Sequence, residues 1–210
     1  MQTLKLFGCS ALLVSVLATG GCMAAGWSGG RGPDPSVRID YQVEVNFRKI
    51  RISVPAGGKS AAPTDLGPLI VPRTSSPNFK ARSLFARQYG KSTTLGREFG
   101  DFKISLDVVS VPEKMGNVPE NKDDLVDFIR KGVETSWEVR LERVGEMDWA
   151  VRESPRSIFG YTFLYTRRLD DDALVSLVFA LDRNRMQSDP VWLEVRKRDI
   201  DAVLRSFVEE

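Results

Sequence analysis

Histidine is absent from the 210-residue chain. Its absence excludes every His-based catalytic triad and every His metal site, and it removes the commonest general base. Cysteine is scarce, with two in the chain, Cys9 and Cys22. Neither sign of charge is in excess: 30 Lys and Arg stand against 28 Asp and Glu, a formal net of +2. That balance argues against a general nucleic-acid binder, which carries a basic surplus. The apolar run Leu6 to Ala18 is too short to span a bilayer, because a crossing helix needs about 20 apolar residues. What is present is ordinary for one globular domain: 42% hydrophobic, 28% charged and 9% aromatic residues.

The amino terminus reads as a secretory signal. Lys5 supplies positive charge, Leu12, Leu13, Val14, Val16 and Leu17 form the apolar centre, and Ala18-Thr19-Gly20-Gly21 leads to Cys22. This stretch resembles a bacterial lipoprotein signal. Gly20, Gly21 and Cys22 match its lipobox, whereas Thr19 stands where Leu is usual. The resemblance implies removal of residues 1–21 and a lipid on Cys22. The alternative is an ordinary secreted protein cut near Met23-Ala24-Ala25. Cys9 would leave with the signal, so Cys22 would be the one thiol of the mature chain. An unpaired cysteine in an oxidising compartment needs a reason, and a thioether-linked lipid supplies one. The mature chain would then hold no disulfide, and its stability would rest on its core. Residues 22–36 read as the lipidated cysteine and a Gly- and Pro-rich tether with no apolar period, spanning roughly 20 Å. Met23 follows the cysteine, where Asp marks inner-membrane retention in enteric bacteria. By the same resemblance, the expected location is the outer membrane, facing the periplasm.

From Val37 to Glu210 the periodicities describe one α+β domain. Tyr41, Val43, Val45 and Phe47 alternate with polar residues as in a half-buried strand, and Ile50, Ile52 and Val54 alternate on the other parity. Arg48-Lys49 is poor turn chemistry, so a bulge is expected there rather than a hairpin. Phe102, Ile104, Leu106 and Val108 mark another strand. Leu125, Phe128, Ile129, Val133 and Trp137 form one stripe of a helix over about 122–137, with Asn121 as N-cap. Four strands follow: one at Val139 and Leu141, one at Met147 to Val151, one at Phe159 to Tyr165, and an apolar one over Leu174–Leu181 that is expected to be central. Asp189-Pro190 opens a last helix carrying Ile200, Val203, Leu204 and Phe207. The expected architecture is an antiparallel sheet with helices packed on one face. This order resembles the PsbP-like α/β sandwich, also seen in DcrB-like envelope lipoproteins. Ile52-Ser53-Val54-Pro55 matches its early strand ending in V-P, and Leu204-Arg205-Ser206-Phe207 matches its last helix.

The least ordinary local feature is Leu66 to Arg97, which contains no acid while Arg73, Lys80, Arg82, Arg87, Lys91 and Arg97 contribute +6. The following segment, Asp107 to Asp127, nets −4. Phe79, Leu84, Phe85 and Tyr89 interleave the basic residues, and aromatics with Arg are the anchors of protein interfaces. Three other readings of the stretch stand beside a protein interface: contact with anionic lipid, pairing with the acidic segment, and a solvated strand face. The Asp170-Asp171-Asp172 run lacks the alternating ligand spacing of a Ca²⁺ loop and reads as a turn. Glu142, Glu146, Asp148 and Glu153 fall near strands, where surface alternation explains them without glycosidase chemistry.

These features favour a protein without catalytic activity and without cofactor or metal, anchored to a membrane by lipid. Its expected partner is a protein with an acidic surface, and nucleic acid is not expected. Lys80–Glu98, with Arg82, Arg87, Gly96 and Glu98, resembles the middle of immunity lipoproteins that neutralise type VI secretion effectors. That resemblance implies a toxin as partner. An envelope-maintenance or assembly lipoprotein of the DcrB-like kind is the alternative.

Overall fold

The computed structural model describes residues 32–61, 65–68, 80–91, 100–132, 138–157 and 160–210. Among these residues, eleven strands and three α-helices follow in chain order, with a 3-10 turn at Glu113–Met115: β1 (Asp34–Val45), β2 (Arg48–Ala56), β3 (Lys59–Ala61), β4 (Asp65–Pro68), β5 (Lys80–Tyr89), β6 (Phe102–Ser110), α1 (Lys122–Gly132), β7 (Val139–Val144), β8 (Met147–Ser157), β9 (Gly160–Asp170), β10 (Ala173–Leu181), α2 (Arg183–Ser188), α3 (Pro190–Arg205) and β11 (Val208–Glu209). All pairings among them are antiparallel. The large sheet runs β3-β5-β6-β10-β9-β8-β7, with β4 also on the outer edge of β5. A small sheet runs β1-β2-β11. The fold is α+β, as the periodicities require. β1 already begins at Asp34, where the Ser36 backbone N–H and hydroxyl both donate to the Asp34 carboxylate. Three residues of the stretch read as tether therefore belong to strand.

Apolar alternation on β6, β9 and β10 places one set of side chains in a large core with β2, β5 and α3. Its members include Ile50, Ile52, Tyr89, Ile104, Leu106, Trp149, Leu177, Phe179, Val203 and Phe207. Residues of the opposite parity, Val109, Ala150 and Leu174, pack instead with Leu125, Val126, Phe128 and Ile129 of α1 in a second core. The helices are thus divided between the two faces of the large sheet rather than gathered on one. Successive strand side chains point to opposite faces, so the apolar residues left over on the second face need a cover, and the stripe of α1 supplies it. β10 lies in the middle of the sheet with both faces buried except at Val178, in keeping with its unbroken apolar run.

Helix ends follow their chemistry. Asn121 Oδ1 accepts from the Asp123 backbone N–H at 2.9 Å, which opens α1. Asp189 Oδ1 accepts from Trp192 N–H at 2.9 Å, and Pro190 sits in the first turn of α3. Val133, Trp137 and Phe159 lie outside the described residues.

The β1–β2 connection differs from expectation. It is a hairpin, not a bulge: Val45 pairs with Arg48, and Asn46-Phe47 forms the turn. Both turn residues have positive φ, 49° and 66°. That combination gives a two-residue turn whose twist suits the flanking strands. Phe47 completes an apparent alternation in the sequence, yet the turn lifts it out of the strand and leaves it 98% exposed.

Candidate functional site

The acid-free stretch centres on β5. A register shift between Ser83 and Phe85 makes Leu84 the extra residue against β6. The shift puts Arg82, Phe85, Arg87 and Tyr89 on the face toward the small sheet, opposite Val108, Leu106, Ile104 and Phe102. Arg82 is exposed there, and Lys91 is exposed just beyond the strand end. Arg87 is not a solvent-facing residue. Its Nε donates to Gly57 O at 2.6 Å and its guanidinium to Tyr41 Oη at 2.9 Å. Tyr41 in turn stacks on Phe85 at 4.5 Å, and Tyr89 Oη donates to Pro55 O at 2.8 Å. Phe85 and Tyr89, read from sequence as interface anchors, are core residues at 5% and 0% exposure. Phe85, Arg87 and Tyr89 share one face of β5, and that face lies beneath the small sheet. Lys80 opens β5 and pairs across to Ser110. Arg73 and Arg97 lie outside the described residues, as does Phe79. In the acidic segment, Glu120 pairs with Arg168 of β9 at 3.6 Å, and Asp127 pairs with Arg130, one turn further along α1, at 2.9 Å.

The Asp170–Asp172 run is a turn, with Asp171 and Asp172 between β9 and β10. Among the described residues no cluster of three or more His, Cys, Asp or Glu is placed to hold a metal. Of the four carboxylates considered for catalysis, Glu142 and Glu153 come together. Both pair with Arg140, while Tyr161 Oη donates to Glu153 and Tyr165 Oη donates to Glu142 at 3.3 Å. Burial opposes the charge on Arg140, but the bonds and charges of Glu153 and Glu142 outweigh it and raise its pKa. Burial, then Glu153, pushes the Tyr161 hydroxyl up to about 12. One guanidinium and two phenols thus clamp both carboxylates across β7, β8 and β9, which makes the cluster a tie between strands. Asp148 pairs with Lys122 at 3.1 Å, and Glu146 sits exposed in a turn.

Two buried polar clusters were not legible in the sequence. The first joins α3 to the β6 entry. Arg196 and Asp199, 5% and 3% exposed, pair at 3.2 Å, and the Arg196 guanidinium lies over the rings of Phe102 and Trp192. Beside them Asp101, 2% exposed, pairs with Arg185. Burial raises the pKa of Asp101 and of Asp199, and lowers that of Arg196. The second cluster lies on the α1 side of the large sheet. Ser83, Asp107, Ser176 and Thr166 stand in register across four strands, all buried. Thr166 and Ser176 share a 2.9 Å hydrogen bond, while Asp107 Oδ1 and Thr162 Oγ1 have no partner. A periodicity analysis scores Ser and Thr as surface, so this row leaves no signal.

Asp107 makes a testable statement about pH. Burial pushes its carboxyl up to about 6 from 3.8, against the pull of Ser83, Lys103 and Ser105. A folded pKa above the unfolded one favours the protonated native state. Its contribution to stability is therefore complete below about pH 4 and is lost as pH rises through about 6. The full loss is of order 3 kcal/mol. Asp107→Asn removes the charge and keeps the shape. Urea melts should show it at least as stable as wild type at about pH 7.5, with a smaller stability difference between about pH 4.5 and 7.5. A variant markedly weaker at neutral pH would show that the ionised carboxylate stabilises the fold.

Comparison of the chain with protein-family models, with curated proteins and with solved structures gives no match. No helix among the described residues is long and apolar enough to cross a membrane. Of the acid-free stretch, the described residues expose Arg82 on β5 and Lys91 just beyond it.

Proposed function

We propose that this protein is a lipoprotein, anchored through Cys22 to the periplasmic face of the outer membrane. It has no catalytic activity, and it binds a protein partner with an acidic surface. In its most concrete form it is an immunity protein that neutralises a type VI secretion effector. The observation that carries the reading is the acid-free stretch from Leu66 to Arg97, together with the exposure of Arg82 on β5 and of Lys91 beyond its end. The chain between those two residues spans roughly 25 Å. That is the width of one partner's share of a standard interface, about 800 Å². Opposite charge on the partner speeds encounter, and desolvated Arg pairs hold the complex.

The test is charge reversal at these two positions, leaving Arg87 to its role in the fold. Arg82→Glu with Lys91→Glu should weaken partner binding by about 30-fold or more, and a melt of the same variant measures what the contacts of Arg82 within the domain contribute to the fold. Added salt should slow association of the wild type, because exposed charges are screened beyond about 8 Å at physiological ionic strength. In the immunity form, cells carrying the double variant become sensitive to the toxin encoded beside the gene, while the lipoprotein still reaches its membrane. Full protection by a folded double variant would contradict the reading.

A further inference from the structure

The small sheet ends in an open edge. β1 pairs with β2 in an unbroken register from Arg38 opposite Pro55 to Val45 opposite Arg48, and among the described residues no strand pairs with its other side. Alternate residues of such a strand turn their backbone N–H and C=O outward, where another strand can bond them. Natural sheets blunt long edges with Lys, Pro or an inward-pointing charge. Arg38–Val45 holds no Lys and no Pro, and its inward positions are Ile39, Tyr41, Val43 and Val45. These four pack against the large core yet stay only half-buried. The edge is also held in place: the Tyr41 ring stacks on Phe85 at 4.5 Å, and its hydroxyl accepts from Arg87 at 2.9 Å. A strand fixed in this way loses little freedom on pairing.

The residues of the edge say which strand fits it, because β1 is complementary to itself. Laid antiparallel on a second copy about Tyr41, Ile39 faces Val43 on the inner side, and Val37, 52% exposed, faces Val45. On the outer side Arg38 faces Glu44 and Asp40 faces Gln42, each twice by symmetry. Within its own copy the Arg38 guanidinium meets neutral acceptors, Ser53 Oγ at 3.0 Å and Ser53 O, and its five donors leave room for a carboxylate. Glu44 is exposed and stands opposite Lys49 of β2, so pairing would set it between two cations. Sliding the copies by two residues puts Asp40 against Asp40 in one direction and against Glu44 in the other, and like charges directly opposite are destabilising. A slide by one residue turns the second copy's apolar set to the wrong face.

We propose that two copies of this chain pair through β1, antiparallel about Tyr41, so that β11-β2-β1 of one copy is continued by β1-β2-β11 of the other. The same strand serves both copies, so a two-fold axis closes the assembly at a dimer. The pairing uses neither Arg82 nor Lys91 and is independent of the partner proposed for the acid-free stretch.

Sedimentation of the full-length chain in detergent, over a range of protein concentration, measures the dimer. Wild type should dimerise. Glu44→Arg sets Arg against Arg at both ends of the pairing and should weaken the dimer about 10-fold or more. Arg38→Glu combined with Glu44→Arg restores opposite charges and should recover wild-type affinity to within about 3-fold. A photo-crosslinking phenylalanine analogue in place of the exposed Gln42 should give a dimer adduct that maps to β1 of the second copy. The same analogue at Val191, 75% exposed on α3, should give none. Crosslinking at position 42 leaves Arg38 and its bonds to Ser53 intact, so it decides the matter if the double variant fails to fold. A wild type that stays monomeric, a dimer indifferent to Glu44→Arg, a folded double variant that does not recover, or adducts from position 42 to any other element or protein would overturn the proposal.

Discussion

Replacing Phe207 by Ala should cost the domain about 3–5 kcal/mol. The ring is 1% exposed and meets Trp149 edge-on at 5.1 Å. The Arg167 guanidinium lies over both rings, at 5.4 Å from Trp149 and 5.9 Å from Phe207. Phe207 also holds a junction, because it follows the last turn of α3 and precedes β11, which closes the edge of β2. Its loss leaves a cavity between the helix, the small sheet and the large sheet, where collapse would need all three to move. Phe128, at 8% exposure on α1, should also be costly, but it belongs to the smaller core on the opposite face. Lys91→Ala is the control and should stay within about 0.5 kcal/mol, as exposed changes do. Urea denaturation of the three variants checks the order. Equal, small effects at all three positions would contradict the packing of both helices.

Where one face of an element is apolar and the other polar, the sequence reading and the fold agree. β6, β10 and α3 appear where their patterns put them, as do α1 and β9 over their described residues, Lys122–Gly132 and Gly160–Asp170, and Asn121 and Asp189 cap the helices as their side-chain oxygens allow. The departures share physical causes. The turn at Asn46-Phe47 is hidden because Phe47 continues an apolar alternation, while the backbone there takes a conformation that Phe disfavours. The bulge at Leu84 changes the face of every later residue of β5 relative to Arg82, and Arg87, on the face of Phe85 and Tyr89, is held beneath the small sheet by Gly57 and Tyr41. β11 is two residues long, shorter than any pattern. The division of helices between two faces depends on which residues remain uncovered after the sheet forms, a tertiary property that single-strand periods do not carry. The same holds for Arg196, Asp199 and Asp107, whose burial follows from neighbours far away in sequence.

Cys22→Ser should abolish lipid attachment outright. The Gly20-Gly21-Cys22 motif follows a positively charged start and an apolar segment too short to span a bilayer. A hydroxyl in place of the thiol cannot form the thioether, and without lipid no described helix offers another way across a membrane. Lipid anchoring is steep in chain number: one acyl chain binds marginally and reversibly, whereas two or more hold stably. The expected change is therefore from membrane to soluble or uncleaved precursor, not a graded loss. It should leave the domain's melting unchanged, since β1 begins only at Asp34. The decisive measurement is labelled fatty-acid incorporation with membrane fractionation, run on wild type and Cys22→Ser side by side. Lipid anchoring at Cys22 requires label and membrane partitioning in the wild type, and in the variant no label and a form that is either soluble or an uncleaved precursor. A wild type without label, or a Cys22→Ser variant that still carries label and stays on the membrane, would contradict it.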